Sequence, residues 1–299
     1  MLTVRAKVLE YAREWLNNES FVEVQGPIIF PAFGKSPNHF TVNYFGRGAF
    51  LSAGLPPYSD VFLQLFNRIY TIAPTFRGEP KKSKRHLAEY WRIEVFNKCD
   101  FEVILSIQEK ILKHILLSLT KNCSKELNEL ASPVLNLRQI QVPFPRLTYN
   151  EAVERLQRKG VRVFWGEPIT RSTETSLTKM FDQPFFVTCF PLSAETLLFK
   201  SPPTESTLTY SADLLAPQGY GEIAACAELI TQKALIKKRL TEFGVDREEQ
   251  DWYLSTKKNS LSPQSTITIG LERLLQWVCG TNDIKETIAI PRKYGKDLF

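Results

Sequence analysis

Between Ile69 and Val95 the chain gathers Arg77, Glu79, Arg85, His86, Glu89 and Tyr90 around the polar run GEPKKSK. A guanidinium is a planar fork that matches phosphate oxygens, so two arginines and a histidine this close together suit a polyanion such as a nucleotide. An aromatic ring beside them can stack on a base. The flanks, Ile69-Tyr70-Thr71-Ile72 and Tyr90-Trp91-Arg92-Ile93-Glu94-Val95, alternate apolar residues, and Gly78 and Pro80 lie between them. That pattern predicts two antiparallel strands joined by a long loop. A purely structural hairpin does not need so many charges, and we read the stretch as a nucleotide-handling hairpin.

Composition limits how such a ligand could be held. Glycine is scarce (14) against phenylalanine (20), and neither G-x-G-x-x-G nor G-x-x-x-x-G-K-[ST] occurs, so a glycine-rich phosphate loop is excluded. A net charge of +6 suits ATP or tRNA, although scattered surface lysines explain it equally well. The five cysteines, 99, 123, 189, 226 and 279, form no C-x-x-C and have no histidine at metal-ligand spacing. A reduced, cytoplasmic setting follows, with no disulfide framework and no structural zinc. The amphipathic stretch MLTVRAKVLEYAREW lacks an apolar signal core and a cleavage site, and no stretch approaches a membrane span.

The elements that must position the hairpin read as follows. Val4, Val8, Leu9, Ala12, Trp15 and Leu16 fall at helical spacing over 4–18, followed by a short strand from Phe21 to Val24 that Pro27 ends. Residues 28–40 read as loop, and Phe40–Leu51 as a hairpin around Gly46-Arg47-Gly48. A short helix is expected over 59–66 and a long one over 101–121, whose apolar stripe runs from Val103 to Leu119. Residues 132–145 read as extended, and a ten-residue helix opens near Thr148. Strands follow at 185–188 and 207–215; 222–239 reads as partly helical; a β-branched strand at 265–269 runs into a helix at 270. Antiparallel strands among helices, without βαβ alternation, predict an α+β domain. The helices at 101–121 and 147–160 are expected to form a small insertion or cover.

Four stretches occur together in one family. VRAKVLEYAREWLNNESFVEVQGPII, PTFRGE…RHLAEYW, ADLLAPQGYGEI and IGLERLLQWVCG…IPR resemble, in order, the catalytic core of class II aminoacyl-tRNA synthetases, most closely the asparaginyl and aspartyl branch. The resemblance spans nearly the whole chain and implies one catalytic domain over 1–299, an antiparallel sheet flanked by helices. It also implies a homodimer formed through the N-terminal helix and the strand to Pro27. By position it assigns Arg77 to the ATP α-phosphate and the attacked carboxylate, and Glu79 to the neighbourhood of the adenine amino group. Arg85 and His86 would hold the β- and γ-phosphates, with Leu87 beside them. Tyr90 would stack on adenine, Arg273 would cover its other face and reach the γ-phosphate next to Gly270, and Glu222 would hold Mg²⁺. Arg77 and Arg273 are the candidate catalytic residues. The physics agrees with these roles, because charge that develops on phosphate oxygens during attack at the α-phosphorus is neutralised by fixed arginines and Mg²⁺.

The chain also departs from that pattern. It is expected to start directly at the catalytic core, with no obvious module for reading an anticodon. Where the branch has Q-S-P-Q-L-Y-K, this chain has Ala53-Gly54-Leu55-Pro56-Pro57-Tyr58-Ser59. Where the branch has Gln-Arg after its G-E-I run, this chain has Glu228-Leu229, preceded by Ala225-Cys226-Ala227. Phe33-Gly34-Lys35-Ser36-Pro37 replaces the acidic loop over the amino group, and Thr266 and Thr268 replace glycines, where they are expected to crowd the adenine site. Ala53, Pro56, Ser59, Glu94, Ala225, Glu228 and Leu229 are therefore the expected substrate-pocket residues. A pocket without its buried cations no longer favours aspartate. The leading expectation is an ATP- and Mg²⁺-dependent ligase that forms an acyl-adenylate and passes the acyl group to an amine, with tRNA not favoured. The alternatives are a truncated ligase charging tRNA or a carrier protein, and a non-catalytic nucleotide-binding paralogue.

Overall fold

The computed structural model describes residues 1–31, 38–137, 140–193, 196–257 and 262–295. Helix α1 (Leu2–Asn18) leads into the short strands β1 (Val22–Glu23) and β2 (Ile29–Phe30), the hairpin β3 (Thr41–Tyr44) and β4 (Arg47–Leu51), and helix α2 (Ser59–Leu63). Strands β5 (Arg68–Phe76) and β6 (Glu89–Asn97) come next, then α3 (Phe101–Asn122), α4 (Ser124–Glu129), β7 (Arg146–Thr148) and α5 (Tyr149–Arg158). The chain continues through α6 (Arg171–Thr178), β8 (Phe185–Thr188), β9 (Ser211–Ala216), β10 (Gly221–Leu229), α7 (Lys233–Glu242) and α8 (Arg247–Thr256). Strand β11 (Gln264–Gly270) and helix α9 (Leu271–Val278) close it.

Eight strands form one sheet in the order β1-β5-β6-β11-β10-β9-β8-β7, antiparallel except for β1/β5 and β7/β8 at its two edges. The hairpin β5–β6 supplies its second and third strands, paired from Arg68–Asn97 to Phe76–Glu89. Because side chains alternate along a strand, Ile93 and Val95 of β6 and Ile267 and Ile269 of β11 face one side. There they join Val4, Ile104, Leu274 and Trp277 in the main core beneath α1, α3 and α9. Arg92, Glu94, Thr266, Thr268 and Gly270 face the other side, which is open as a cleft. The α+β prediction holds.

Several local expectations change. The stretch 222–239 is partly helical as expected, with α7 in its second half, while residues 222–229 form β10, paired with both β9 and β11. Ala-Ala-Cys-Ala is a good helix former, but its position between two strands overrides that weak preference. The long helix α3 is no cover: it packs on α1 and the sheet, with Ile104, Ile111 and Ile115 fully buried. Helix α5 does belong to a separate apolar cluster with α6 and β8, and a Thr148–Glu151 capping box starts it. The first hairpin turns on Phe45 and Gly46, both at positive φ, so Arg47 already lies in the strand. Residues 133–137 form a 3₁₀ turn within the stretch expected to be extended.

Candidate active site

Two cavities lie side by side on the open face of the sheet. The larger, about 690 Å³, is walled by all the expected nucleotide residues except Glu79. Arg77, at the end of β5, is half-buried and reaches it from the hairpin, its N–H bonded to the Ala88 carbonyl (2.8 Å). The returning strand is fixed by Arg292, whose carbonyl accepts from Ala88 N–H (2.8 Å), and Leu87 is buried beneath. Tyr90 follows, with the Arg92 guanidinium 5.3 Å from its ring centre. Glu79 stands outside the wall, where it bonds His86 Nδ1 at 3.0 Å; it therefore orients the histidine rather than lining the cavity. Burial lowers the pKa of His86, Arg77 and Arg85 lower it further, and Glu79 opposes them only in part.

Arg85 differs most from its expected place. Both of its terminal nitrogens are taken by the Glu174 carboxylate of α6, at 2.5 and 2.8 Å. The same carboxylate accepts the Glu222 backbone N–H. Arg85 thus anchors the turn that presents Glu222, and its fork is not free for phosphate. Gly221 is required there: φ is +79°, and a Cβ would run into Glu174 and Arg85. Glu174 carried no sequence signal, because α6 meets the hairpin only in the tertiary fold.

Arg273, one turn into α9, is also held by the chain. It donates to the carbonyls of Glu222 (3.0 Å) and Tyr220 (2.8 Å) and to Gln276 (2.8 Å). A side chain at Gly270, the helix N-cap, would press on the stem of Arg273. The neighbouring Glu272 is buried and faces away from solvent. It accepts Trp91 N–H (2.9 Å), which β11 ends too early to pair, and bonds Arg5 of α1 at 2.7 Å. The Glu222 side chain reaches solvent within the cleft, yet the surrounding walls raise its pKa, and the Glu174 carboxylate adds to that shift.

Mg²⁺ prefers hard oxygen ligands and keeps one or two carboxylates plus phosphates, not a full protein cage. Glu222 and Asp213 of β9 both line the cavity as such donors, and no group of three metal-binding side chains occurs among the described residues. The donor set fits a magnesium–phosphate complex.

The smaller cavity, about 430 Å³, shares Arg92, Phe199, Thr266 and Thr268 with the larger. Ala53, Pro56, Ser59, Glu94 and Leu229 line it as expected, while Ala225 lines the larger one. Glu228 is a correction. Being one residue out of phase with Leu229, it faces the opposite side of the sheet, where it accepts Phe101 N–H (3.1 Å) and bonds Lys200 (2.5 Å). Thr268 pairs with Glu94 and Ala225, and Thr266 with Phe96 and Ala227. The threonines therefore floor the junction of the two cavities instead of crowding Tyr90. Arg92, absent from the sequence-derived set, lies on that junction, donates to the Ala53 carbonyl (2.6 Å) and sits 4.0 Å from Glu94. The segment 33–37 lies outside the described residues.

Residues 1–294 match the family of tRNA synthetases class II (D, K and N). The chain belongs to that family. Among its relatives is the asparagine–tRNA ligase of Pelotomaculum thermopropionicum, 35% identical over 98% of this chain and 68% of that protein. Asparaginyl-tRNA synthetase from Pyrococcus horikoshii, solved with asparaginyl-adenylate, superposes with a TM-score of 0.92 at 29% identity, covering 99% of this chain and 68% of that one. The Entamoeba histolytica asparaginyl enzyme, at 24% identity and a TM-score of 0.91, shares the fold. As a member of the class II tRNA synthetases the protein is an ATP-dependent ligase, with ATP and Mg²⁺ as its cofactors. ATP, an amino acid and tRNA are the substrates the family implies. Among the described residues no helix is long and apolar enough to cross a membrane.

Proposed function

We propose that this chain activates a carboxylic acid as its acyl-adenylate and transfers the acyl group to an amine. The observation that carries the reading is the junction of the two cavities. Arg77 and Arg92 both border the larger one, and Arg92 also borders the apolar space where an acid's body can lie. A carboxylate oxygen there attacks the α-phosphorus, forming a C–O–P bond while the bond to the β-phosphate oxygen breaks and pyrophosphate leaves with its electron pair. Arg77 binds the carboxylate and the α-phosphate and His86 the outer phosphates, while Arg273 holds the Tyr220–Glu222 turn beside them. Tyr90 carries the adenine. Glu222, steadied by Arg85 and Glu174, would hold Mg²⁺, which would supply charge neutralisation on the phosphates and the departing pyrophosphate. In the second half-reaction an amine nitrogen attacks the acyl carbon, AMP leaves and the nitrogen gives up a proton.

Leu229 stands where the asparaginyl branch has an arginine, which argues against aspartate as the acid. The relatives named asparagine–tRNA ligases favour a second reading, with a tRNA hydroxyl as the acceptor. ATP–pyrophosphate exchange across a panel of acids tests activation; ATP binding without any acid-stimulated exchange defeats it. AMP release stimulated by hydroxylamine but not by tRNA supports the amine, and the reverse supports tRNA.

Residues 1–299 are taken as one catalytic domain, since the eight-stranded sheet draws strands from Val22 to Gly270. A homodimer is supported by Val22, Ile28 and Ile29, exposed apolar residues beside the edge strand β1. Light scattering on the purified chain, alone and with Ile28→Asp, tests it. The free state of all five cysteines agrees with a reducing, cytoplasmic setting.

A further inference from the structure

The geometry points to a monocarboxylic acid with a hydrocarbon or aromatic body, uncharged beyond its reacting carboxylate, as the substrate of the smaller cavity. This inference rests on the acyl-adenylate reading above and names the class of acid. The wall away from the larger cavity is built from Leu197, Leu198, Leu229 and Tyr253, and Phe199 is shared between the two cavities. It is a fixed wall: the buried Arg239 donates to the carbonyls of Leu197 (3.3 Å) and Phe199 (2.5 Å) and to Ser201 (2.7 Å), and Phe199 pairs with Leu229.

The charged groups around the cavity are already matched within the protein. Arg92 is held by the Ala53 carbonyl (2.6 Å). Glu94 accepts Leu55 N–H (2.7 Å), and its burial raises its pKa. Asp60 is bonded to Lys257 at 2.6 Å, with both side chains buried. Ser52 is spent on Gly54. Glu228 points to the other side of the sheet, and Leu229 projects where a cation would be needed to hold a polar side chain. Among the described residues Arg92 is the one arginine or lysine that lines the cavity, and it lies at the mouth, beside the larger cavity; His39 also lines it, with its pKa lowered by burial. A carboxylate at the mouth meets cations; a second charge at the far wall would be desolvated with no partner. A hydrocarbon body there replaces water on apolar surface, and the volume falls in the range of small-molecule sites.

The test is ATP–pyrophosphate exchange with the full chain and 4-methylpentanoate, 3-phenylpropanoate, L-aspartate and L-asparagine. Saturation-transfer NMR follows binding of the same acids separately. At least one apolar acid is expected to exceed aspartate and asparagine in kcat/KM by about 100-fold or more, the scale set by an unmatched polar group in a closed pocket. Leu229→Ala is expected to raise KM for that acid while leaving kcat near its starting value, and Leu229→Arg to reverse the preference toward aspartate. Exchange that is best with aspartate or asparagine overturns the substrate class and leaves adenylation standing. Binding of apolar acids, weakened by Leu229→Ala but without exchange, overturns adenylation and leaves the class standing. No exchange with any of the acids, together with no binding of the apolar ones, overturns both.

Discussion

The carboxylate of Glu174 fills the fork of Arg85 from a different helix, and one of its oxygens also accepts the Glu222 N–H. A charge pair with both side chains about nine-tenths buried is costly to break on one side, because the remaining charge has no partner. Glu174→Gln is expected to lower unfolding free energy by roughly 3–5 kcal/mol. It should also weaken Mg²⁺-dependent ATP use, since the Glu222 turn loses its anchor. Urea melts and exchange rates titrated with Mg²⁺ check both parts; an unchanged magnesium dependence would separate Glu174 from the nucleotide site.

Arg77 and Arg273 should behave differently when truncated. Among the described residues Arg77 makes no side-chain hydrogen bond or ion pair that the fold depends on, so Arg77→Ala should keep its melting temperature while exchange falls by about 100- to 1,000-fold. Arg273 ties Tyr220, Glu222 and Gln276 together. Arg273→Ala should therefore lose both exchange and some thermal stability, which calorimetry would resolve.

His86 gives the site a pH dependence of defined sign. Its pKa is lowered in the free protein, first by burial and then by Arg77 and Arg85. It is neutral near pH 7, and bound phosphates favour its charged form. ATP affinity should rise as pH falls toward the depressed pKa, with proton uptake on binding. The effect on folding has the opposite sign: the unfolded chain binds the proton more readily, so this histidine costs stability as pH falls. Isothermal titration in buffers of different ionisation enthalpy measures the uptake, and His86→Asn should abolish it.

Asp60 and Lys257 join α2 to the end of α8 beside the smaller cavity. Lys257→Met leaves a buried carboxylate unpaired and is expected to cost roughly 3–5 kcal/mol, whereas the double change with Asp60→Leu should recover most of it. Denaturant midpoints of the two single variants and the double complete the cycle.

Much of the site was legible in the sequence because its chemistry is local. Arg77, His86, Leu87 and Tyr90 lie within fourteen residues of one hairpin, and strand alternation alone puts Arg92 and Glu94 on one face. The Gly270–Arg273 start of α9 was equally visible, since a β-branched strand running into a helix shows in the pattern. Which groups remain available to a ligand was decided by tertiary structure. Arg85 reads as a phosphate ligand until α6 brings Glu174 across eighty-nine positions to occupy it. Glu228 reads as a pocket residue until the pairing of β10 between β9 and β11 turns it away and leaves Leu229 facing the cavity. The sequence states residue type and spacing, and these determine the hairpin and its charges. Long-range pairing determines which charges are already neutralised, because a counter-ion can come from any part of the chain that folding brings within bonding distance.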